Sequence, residues 1–305
     1  MSRHLKIIVM LICLCALVPV IHAQRKCSTQ MLAGTYVFYE KGSSSDFDPT
    51  PVTWPPFHFA GVMAPFVNLG EATFTPGGLG DGFYWIKVGA MNSGLDAIPV
   101  HFTITEMNND CTGKMQYNIS LPGMPPATIE ERIIVMNDGR EIRSVPRTIE
   151  NGLPTLAWIG YGRRIRRPEE RVKSCGPQTA SGTYVYSCEN LLVSPANNFR
   201  NVADATIFYI AAERDGSYTG TLYEKVGSYL PVETKVLGKT AVNQDCSFSQ
   251  TLLIPEYFPD GPPVDIRGVF YDEGKEFYSM PMTDGILGFC QGTRVGSSKL
   301  RGIDE

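Results

Sequence analysis

The chain carries one motif twice, as CSTQMLAGTYV at residues 27–37 and as CGPQTASGTYV at residues 175–185. Further along each half, Asp110-Cys111 matches Asp245-Cys246. Ordered matches that include cysteines indicate an internal duplication. The predicted organisation is a signal peptide at residues 1–23, two copies of one domain at residues 24–165 and 175–305, and a basic linker at residues 166–174.

Shorter matches lie between the motifs. Ala72-Thr73-Phe74 matches Ala205-Thr206-Ile207, and Asp81-Gly82 matches Asp215-Gly216. They predict that the second strand and the turn after it correspond at these residues in the two copies.

The stretches between the matched residues are typical of short β-strands joined by turns. Residues 114–120 alternate, with Met115, Tyr117 and Ile119 on one face and polar side chains on the other. Helix patterns are scarce, because no window sustains the apolar spacing of a helix with a cap at each end. Each copy is long enough for about eight strands of ordinary length. We predict an all-β fold of two tandem antiparallel β-barrels of about eight strands each, with a β-sandwich as the alternative.

The cysteine count favours disulfide bonds. Six of the eight cysteines follow the predicted signal peptide, and an even number in an oxidising compartment is typical of a fully paired set. Because the duplication relates two cysteines of copy one to two of copy two, one bond per copy is the simplest pairing. The expected pairs are Cys27–Cys111 and Cys175–Cys246.

Two further cysteines favour a closed barrel over a sandwich. Copy two has Cys188 at the position of Glu40 on the first strand, and Cys290 at the position of Gly160 on the last strand. A bond between them would join the first strand to the last, and these strands are neighbours only in a sheet that closes on itself. We therefore expect a Cys188–Cys290 bond.

The first 23 residues have the layout of a secretory signal peptide. Arg3 and Lys6 precede an apolar run at residues 7–21, and Ala23 provides a small residue for cleavage. An uncleaved membrane anchor is the alternative, although the run is short for a bilayer span. We predict a secreted, extracellular protein with no membrane span in the mature chain.

Charge excludes one class of partner. The formal net charge is −4, and it becomes −6 when Arg3 and Lys6 are removed with the signal peptide. An acidic chain offers no basic surface for nucleic acid, so we expect no nucleic-acid partner. The mature chain has one glycosylation sequon, at Asn118, on the polar face of the alternating stretch, and we predict a glycan there.

Histidine content restricts the chemistry of the mature chain, which has only His58 and His101. A three-histidine zinc site is impossible within one chain, and no Cys-x-x-Cys pair provides a structural one. The sequence also lacks a Walker loop, an EF-hand pattern and a Gly-x-Ser-x-Gly nucleophile motif. We expect neither a metal nor a cofactor.

Copy one is longer than copy two at residues 41–70, and this insertion is rich in proline and aromatic residues. Such a loop near a barrel mouth can act as a lid over an apolar ligand. If His58 on the insertion met His101 on its predicted strand, the two imidazoles, together with Tyr84, could transfer protons without a cofactor. The residues expected to contact the ligand are Trp54, Phe57, Trp85 and Tyr117.

Both copies resemble lipocalins at two points, a Gly-x-aromatic motif that opens the first strand and an arginine on the last strand. The matching residues are Gly34, Tyr36 and Arg164 in copy one, and Gly182, Tyr184 and Arg294 in copy two. The resemblance implies an aromatic residue that closes the barrel floor and an arginine that packs across it. Tyrosine replaces the lipocalin tryptophan in both copies, and the middle Thr-Asp-Tyr motif is not recognisable. The pattern is also similar to other calycin-like barrels and to the allene-oxide-cyclase and dirigent type.

Three functional hypotheses follow. The first is a secreted binding protein that holds small hydrophobic ligands in a barrel cavity. The second is a cofactor-independent cyclase or isomerase that acts on an apolar substrate in the first barrel. The third is a structural extracellular protein whose barrels are filled by their own side chains.

Overall fold

A computed structural model gives the fold of the chain. It describes residues 26–45, 64–88, 91–92, 96–120, 126–149, 155–168, 174–193, 201–228, 230–256 and 262–296. The predicted signal peptide and most of the predicted insertion, with Trp54, Phe57 and His58, lie outside these residues. Within the described residues, no helix is long and apolar enough to cross a membrane.

The first half of the chain forms a closed antiparallel barrel. Its strands are β1 (Gly34–Ser45), β2 (Ala64–Phe74), β3 (Leu79–Val88), β4 (Met91–Asn92), β5 (Ile98–Met107), β6 (Thr112–Ile119), β7 (Ala127–Met136), β8 (Glu141–Ile149) and β9 (Thr155–Arg166). The two-residue strand β4 pairs only with β3, so the barrel itself has eight strands. The sheet closes because β9 pairs with β1, where Gly160 lies opposite Glu40.

The second half forms a closed barrel of the same strand number. Its strands are β10 (Gly182–Val193), β11 (Asn201–Ala212), β12 (Ser217–Val226), β13 (Val232–Val242), β14 (Ser247–Leu253), β15 (Val264–Tyr271), β16 (Glu276–Pro281) and β17 (Ile286–Gly296). Cys188 on β10 lies opposite Cys290 on β17, and a disulfide joins them. The predicted fold of two tandem eight-stranded barrels is therefore confirmed.

The remaining disulfides occupy equivalent places in the two barrels. Cys27–Cys111 and Cys175–Cys246 each tie the segment before the first strand to a turn between two later strands. The second cysteine of each pair has a positive φ, 69° for Cys111 and 73° for Cys246. These are the pairs expected from the duplication.

The strand pairing corrects part of the sequence match between the copies. Gly34 pairs with Phe74, and Gly182 pairs with Ala212, so Phe74 corresponds to Ala212 rather than to Ile207. The turn after the second strand supports this alignment of Phe74 with Ala212. It places Gly78 at the position of Gly216, and both glycines have left-handed backbone, with φ of 82° and 85°. The match of Asp81-Gly82 with Asp215-Gly216 is therefore wrong as well. Short Ala-Thr-apolar and Asp-Gly strings recur by chance in strands and turns, whereas hydrogen-bond register and backbone conformation align the copies uniquely.

Side chains alternate between the interior of each barrel and its outer surface. Tyr36, Phe38 and Glu40 face the interior of the first barrel, while Val37 and Tyr39 face outward. This alternation follows from the period of two along a strand, which turns every second side chain to the same face. The predicted alternation of β6 is also present, with Met115, Tyr117 and Ile119 buried.

The outer faces of the two barrels pack against each other. Leu69 and Trp85 of the first barrel share an apolar cluster with Met280 and Leu287 of the second. Further side chains cross the interface, and the ring centroids of Tyr39 and Phe289 lie 3.8 Å apart in a stacked arrangement. The ammonium group of Lys87, fully buried at this interface, donates hydrogen bonds to the carbonyl oxygens of Thr283, at 2.6 Å, and Ile286. The second barrel thus covers Leu69 and Trp85, whereas Leu79 at the start of β3 is exposed.

The floor of the second barrel is closed by Tyr184 and Arg294. The Tyr184 hydroxyl donates to the Gly274 carbonyl oxygen at 2.8 Å. The Arg294 guanidinium donates to the Thr179 carbonyl oxygen at 2.6 Å and lies over the Tyr184 ring, 5.4 Å from its centroid. This aromatic–arginine contact is the one that the resemblance implies.

The first barrel has the same floor. Tyr36 donates to the Gly139 carbonyl oxygen, and Arg164 donates to the Met31 carbonyl oxygen at 2.8 Å. Tyr36 and Tyr184 are both almost completely buried. Tyrosine therefore serves at both floors, and its hydroxyl satisfies a turn carbonyl of the same barrel.

Candidate functional site

Buried polar side chains form a layer inside the first barrel, about midway along its strands. At its centre are Glu40 on β1 and Glu131 on β7, both with 0% exposure. Strand alternation places them there, because Glu40 follows Phe38 on the inward face and Glu131 lies between Ile129 and Ile133. We call this set the acidic layer. Its members are Glu40, Asn68, Tyr84, Tyr117, Glu131, Ser144 and Trp158.

Glu40 accepts hydrogen bonds from two neighbouring strands. The Asn68 amide nitrogen donates to Oε2 at 2.6 Å, and the Tyr84 hydroxyl donates to Oε1 at 3.3 Å. Asn68 is the direct cross-strand partner of Glu40. Both donors are themselves buried, so water does not compete for these bonds.

Glu131 has two donors on one of its oxygens. The Trp158 indole nitrogen donates to Oε1 at 2.8 Å, and the Tyr117 hydroxyl donates to the same atom at 3.2 Å. The second oxygen, Oε2, is buried and has no hydrogen-bond partner. An unsatisfied buried carboxylate oxygen is costly and calls for an explanation.

Gly160 on β9 provides the space for the acidic layer. It lies opposite Glu40 on one side and opposite Ser144 on the other. A Cβ at this position would lie 2.1 Å from Ser144 Oγ and 3.3 Å from Glu40 Cγ. The Ser144 hydroxyl lies close enough to Glu131 to lower its pKa, but outside hydrogen-bond geometry, so Ser144 Oγ has no partner.

Burial sets the protonation of the two carboxyl groups. It raises the pKa of Glu40 well above its usual range, and the charge of Glu131 raises it further, against the hydrogen bonds from Asn68 and Tyr84. Burial also raises the pKa of Glu131, against stabilisation by Ser144, Trp158, Tyr117 and Glu40. No described member of the layer is basic. Of the two carboxyl groups, Glu40 therefore holds a proton more strongly, and Glu131 ionises more easily.

The two tyrosines stay neutral. Burial raises the pKa of Tyr84 and of Tyr117 well above the usual range, and the nearby carboxylates raise both further. Their hydroxyl groups therefore act as hydrogen-bond donors to Glu40 and Glu131 rather than as bases.

The second barrel lacks the acidic layer. The strand register of the two barrels shows which residues of the second barrel correspond to the main members of the acidic layer, and these residues are smaller or apolar. The counterparts of Glu40, Tyr84, Tyr117 and Glu131 are Cys188, Leu222, Leu252 and Ile266. Because the duplicate closes the same barrel without these polar groups, the fold itself does not require them.

The predicted site residues divide between the interior and the outer surface. Tyr84 and Tyr117 belong to the acidic layer. Trp85 faces away from the interior and packs in the interface between the barrels, because it is one residue out of phase with Tyr84. His101 is exposed on β5, with Nδ1 2.6 Å from Asp81 Oδ1. The described structure therefore does not bring His101 to Tyr84.

Other predicted features lie at the surface or outside the described residues. Asn118 is exposed on β6, and its side-chain oxygen accepts a hydrogen bond from Thr128 at 2.9 Å. Trp54, Phe57 and His58 fall in residues 46–63, which the structure does not describe. In the part of the chain that is described, no group of three or more His, Cys, Asp or Glu side chains is arranged to hold a metal ion.

Sequence reasoning missed Glu40 and Glu131 as site residues. A signal was present, since each acid interrupts an inward row of apolar side chains on its strand. An acidic residue at an inward position of a strand is costly unless it is paired, and that cost marks it as a candidate.

Comparison with known proteins adds little to these observations. No family model and no curated protein sequence matches the chain. Among solved structures, it is similar to transferrin binding protein B from Haemophilus parasuis, with 10% identity over 85% of this chain and 75% of that one and a TM-score of 0.30. It is also similar to isotype 1 transferrin binding protein B from Neisseria meningitidis, with 8% identity, coverage of 86% and 76%, and a TM-score of 0.26. A putative AttH from Nitrosomonas europaea shares 11% identity over 86% of this chain and 92% of that one, with a TM-score of 0.26.

Proposed function

We propose that this chain is a secreted protein that binds a small, mainly apolar molecule in its first barrel. The observation that carries the proposal is the acidic layer, which one barrel contains and its duplicate replaces. Two carboxyl groups buried without a basic partner destabilise a fold, so folding alone gives no reason to keep them. Buried groups with shifted pKa values concentrate at functional sites.

The surroundings of the acidic layer suit an apolar ligand. Phe66, Ile86, Ile98 and Ile119 lie on the inward face between the layer and the end of the barrel opposite the floor. A mostly apolar lining with a few polar groups is the usual composition of a small-molecule site. The layer would therefore fix the polar end of a ligand whose body contacts these side chains.

The second barrel has features of a scaffold. Its interior is packed with aromatic rings, such as Tyr186 and Phe208, whose centroids lie 4.3 Å apart in a stacked arrangement. The Cys188–Cys290 bond occupies the place that Glu40 and Gly160 hold in the first barrel. The hypothesis of an interior filled by side chains thus fits this barrel better than the first.

We propose further that the chain is a divergent calycin- or lipocalin-like protein whose copies divide at residues 166–174. The equivalent floors, built by Tyr36 with Arg164 and by Tyr184 with Arg294, support the family proposal. Three disulfides support an oxidising, extracellular location, as does the layout of residues 1–23.

A cofactor-independent isomerase or cyclase is the second candidate. One observation favours it: Glu40 and Glu131 form a buried pair with raised pKa values and two tyrosine donors. A protonated and an ionised carboxyl side by side can act as general acid and general base on one substrate. His58 and His101 are not needed for this chemistry.

Native mass spectrometry of the disulfide-bonded protein from its own source tests the proposal. We expect a small molecule that is retained by the wild type and lost in Glu131→Gln, while Asp204→Asn in the second barrel retains it. Saturable binding of the neutral apolar dye Nile red to the first barrel is the independent measurement. Recovery of the compound unchanged after incubation supports binding, whereas its conversion supports the isomerase. Absence of both a bound molecule and dye binding would reject the proposal.

A further inference from the structure

The free polar atoms of the acidic layer are hydrogen-bond acceptors. Glu131 Oε2 and Asn68 Oδ1 are buried without partners and can only accept, and the partnerless Ser144 hydroxyl can accept as well. Four donors of the layer, the Asn68 amide, the two tyrosine hydroxyls and the Trp158 indole, point at a carboxyl group. A ligand group that satisfies Glu131 Oε2 or Asn68 Oδ1 must therefore be a hydrogen-bond donor.

The negative charge of the acidic layer favours a cationic donor over a neutral one. Glu131 and Glu40 carry negative charge whenever they are not both protonated, and no described side chain of the layer is positive. A neutral alcohol or amide would leave this charge uncompensated in an environment of low dielectric constant, whereas a cation would neutralise it.

Aromatic rings surround the same place. The Trp158 ring lies 5.7 Å from that of Phe66, and the Tyr84 ring lies 6.1 Å from that of Tyr117, measured between centroids. Aromatic faces attract cations, most strongly when water is excluded. The rings and the carboxyl groups thus favour the same kind of ligand group.

We infer, on the basis of the proposed function, that the ligand of the first barrel is an apolar molecule bearing a protonated amine. A primary ammonium has three N–H donors and one positive charge, which suit the partnerless acceptor Glu131 Oε2 and the charge of the acidic pair. The ammonium binds at Glu131, and the apolar body lies along the inward residues toward the barrel end opposite the floor. The second barrel has Ile266 in place of Glu131.

Isothermal titration calorimetry on the full disulfide-bonded chain tests this inference with matched ligands. The pairs are hexylamine with 1-hexanol, and 2-phenylethylamine with 2-phenylethanol, which differ only in the polar group. We expect each amine to bind about ten-fold or more tightly than its alcohol, the difference expected from a hydrogen bond to a charged group. Glu131→Gln should reduce the amine affinity to that of the alcohol, with a smaller loss in Glu40→Gln.

Asp204→Asn is the matched control, because Asp204 is a buried acid of the second barrel that accepts a hydrogen bond from Asn190 at 2.9 Å. It should leave the amine preference unchanged. The inference is overturned if alcohols bind as tightly as amines, or if the preference survives Glu131→Gln in a variant whose circular dichroism matches the wild type. Binding of Nile red or of the alcohols without an amine preference rejects the ammonium and retains the proposed function. Failure of every ligand to bind rejects both.

Discussion

Glu40 of the first barrel and Cys188 of the second occupy the same position in their closing strands. Glu40 lies directly opposite Gly160, and Cys188 lies directly opposite Cys290, to which it is bonded. The duplicate thus carries a covalent link where the first barrel carries a buried acid beside a glycine. A link there constrains the barrel, whereas the acid and the glycine leave room for polar groups. This difference is consistent with the roles that we propose, ligand binding for the first barrel and a scaffold for the second.

Transferring the disulfide to the first barrel should abolish its function and stabilise its fold. In Glu40→Cys/Gly160→Cys we expect a bond between the new cysteines, because the opposed pair in the second barrel has a Cα–Cα distance of 4.1 Å. The Ser144 side chain must move, because a Cβ at position 160 would lie 2.1 Å from Ser144 Oγ. The gain in unfolding free energy should be about 2–4 kcal/mol, measured by urea unfolding with and without reductant. Glu40→Cys alone is the control, and retained ligand binding in the disulfide-bonded variant would contradict the proposal.

Glu71 should make the stability of the chain depend on pH. Burial raises the pKa of Glu71 to about 7, with Arg166 lowering it and Asp245 raising it. Because the folded state then holds the proton more tightly than the unfolded state, stability is present below the unfolded pKa of about 4.5 and is lost as the pH rises toward about 7. The contribution of Glu71 to this loss should be about 1–3 kcal/mol in urea unfolding across this window, and Glu71→Gln should reduce the loss by that amount. Equal pH profiles for the two proteins would show that Glu71 is not the group responsible.

Loss of the floor arginine should destabilise the second barrel. Arg294 donates to the Thr179 carbonyl oxygen at 2.6 Å and to the Tyr184 hydroxyl at 2.8 Å, so Arg294→Ala leaves a buried hydroxyl and a carbonyl with fewer partners. We expect a decrease of about 1–3 kcal/mol in unfolding free energy. Arg214→Ala, in an exposed turn, should change it by less than about 0.5 kcal/mol. Similar effects of the two substitutions would mean that the floor contact contributes little.

His101 should be dispensable for any activity of the first barrel. Its exposed side chain contacts Asp81 and faces away from the acidic layer. His101→Ala should therefore change the affinity for a bound molecule by less than about 0.5 kcal/mol, while Glu131→Gln weakens it. Calorimetry on both variants gives the comparison. A large loss of affinity in His101→Ala would revive the two-histidine mechanism.

Local patterns in the sequence were sufficient to predict much of the fold. The repeated cysteine motif predicted two equivalent domains, and Cys188 with Cys290 predicted closure of the second barrel. The period-two alternation of β6 predicted which of its faces is buried. The positions of the second strand were wrong by five residues, because short apolar strings carry too little information to place an insertion between two copies.

The candidate site was predicted less completely. Tyr84, predicted for proton transfer, and Tyr117, predicted to contact the ligand, lie in the acidic layer, whereas Trp85, also predicted to contact the ligand, packs between the barrels. Neighbouring residues on a strand face opposite sides of the sheet. A site residue that is predicted from its residue type alone can therefore lie on the outer face of the barrel. Glu131 and Glu40 were missed because each one, taken alone, resembles an ordinary surface acid.

The sequence by itself determined the duplication, the cysteine pairs and the alternation of the strands, because spacing along the chain encodes each of them. Only the tertiary structure decided that Glu40 and Glu131 share one interior, that Gly160 makes room beside them, and that the second barrel covers Trp85. The physical reason is that barrel closure and shear bring together residues from distant strands, and pairing of the strands along their whole length sets which side chains meet.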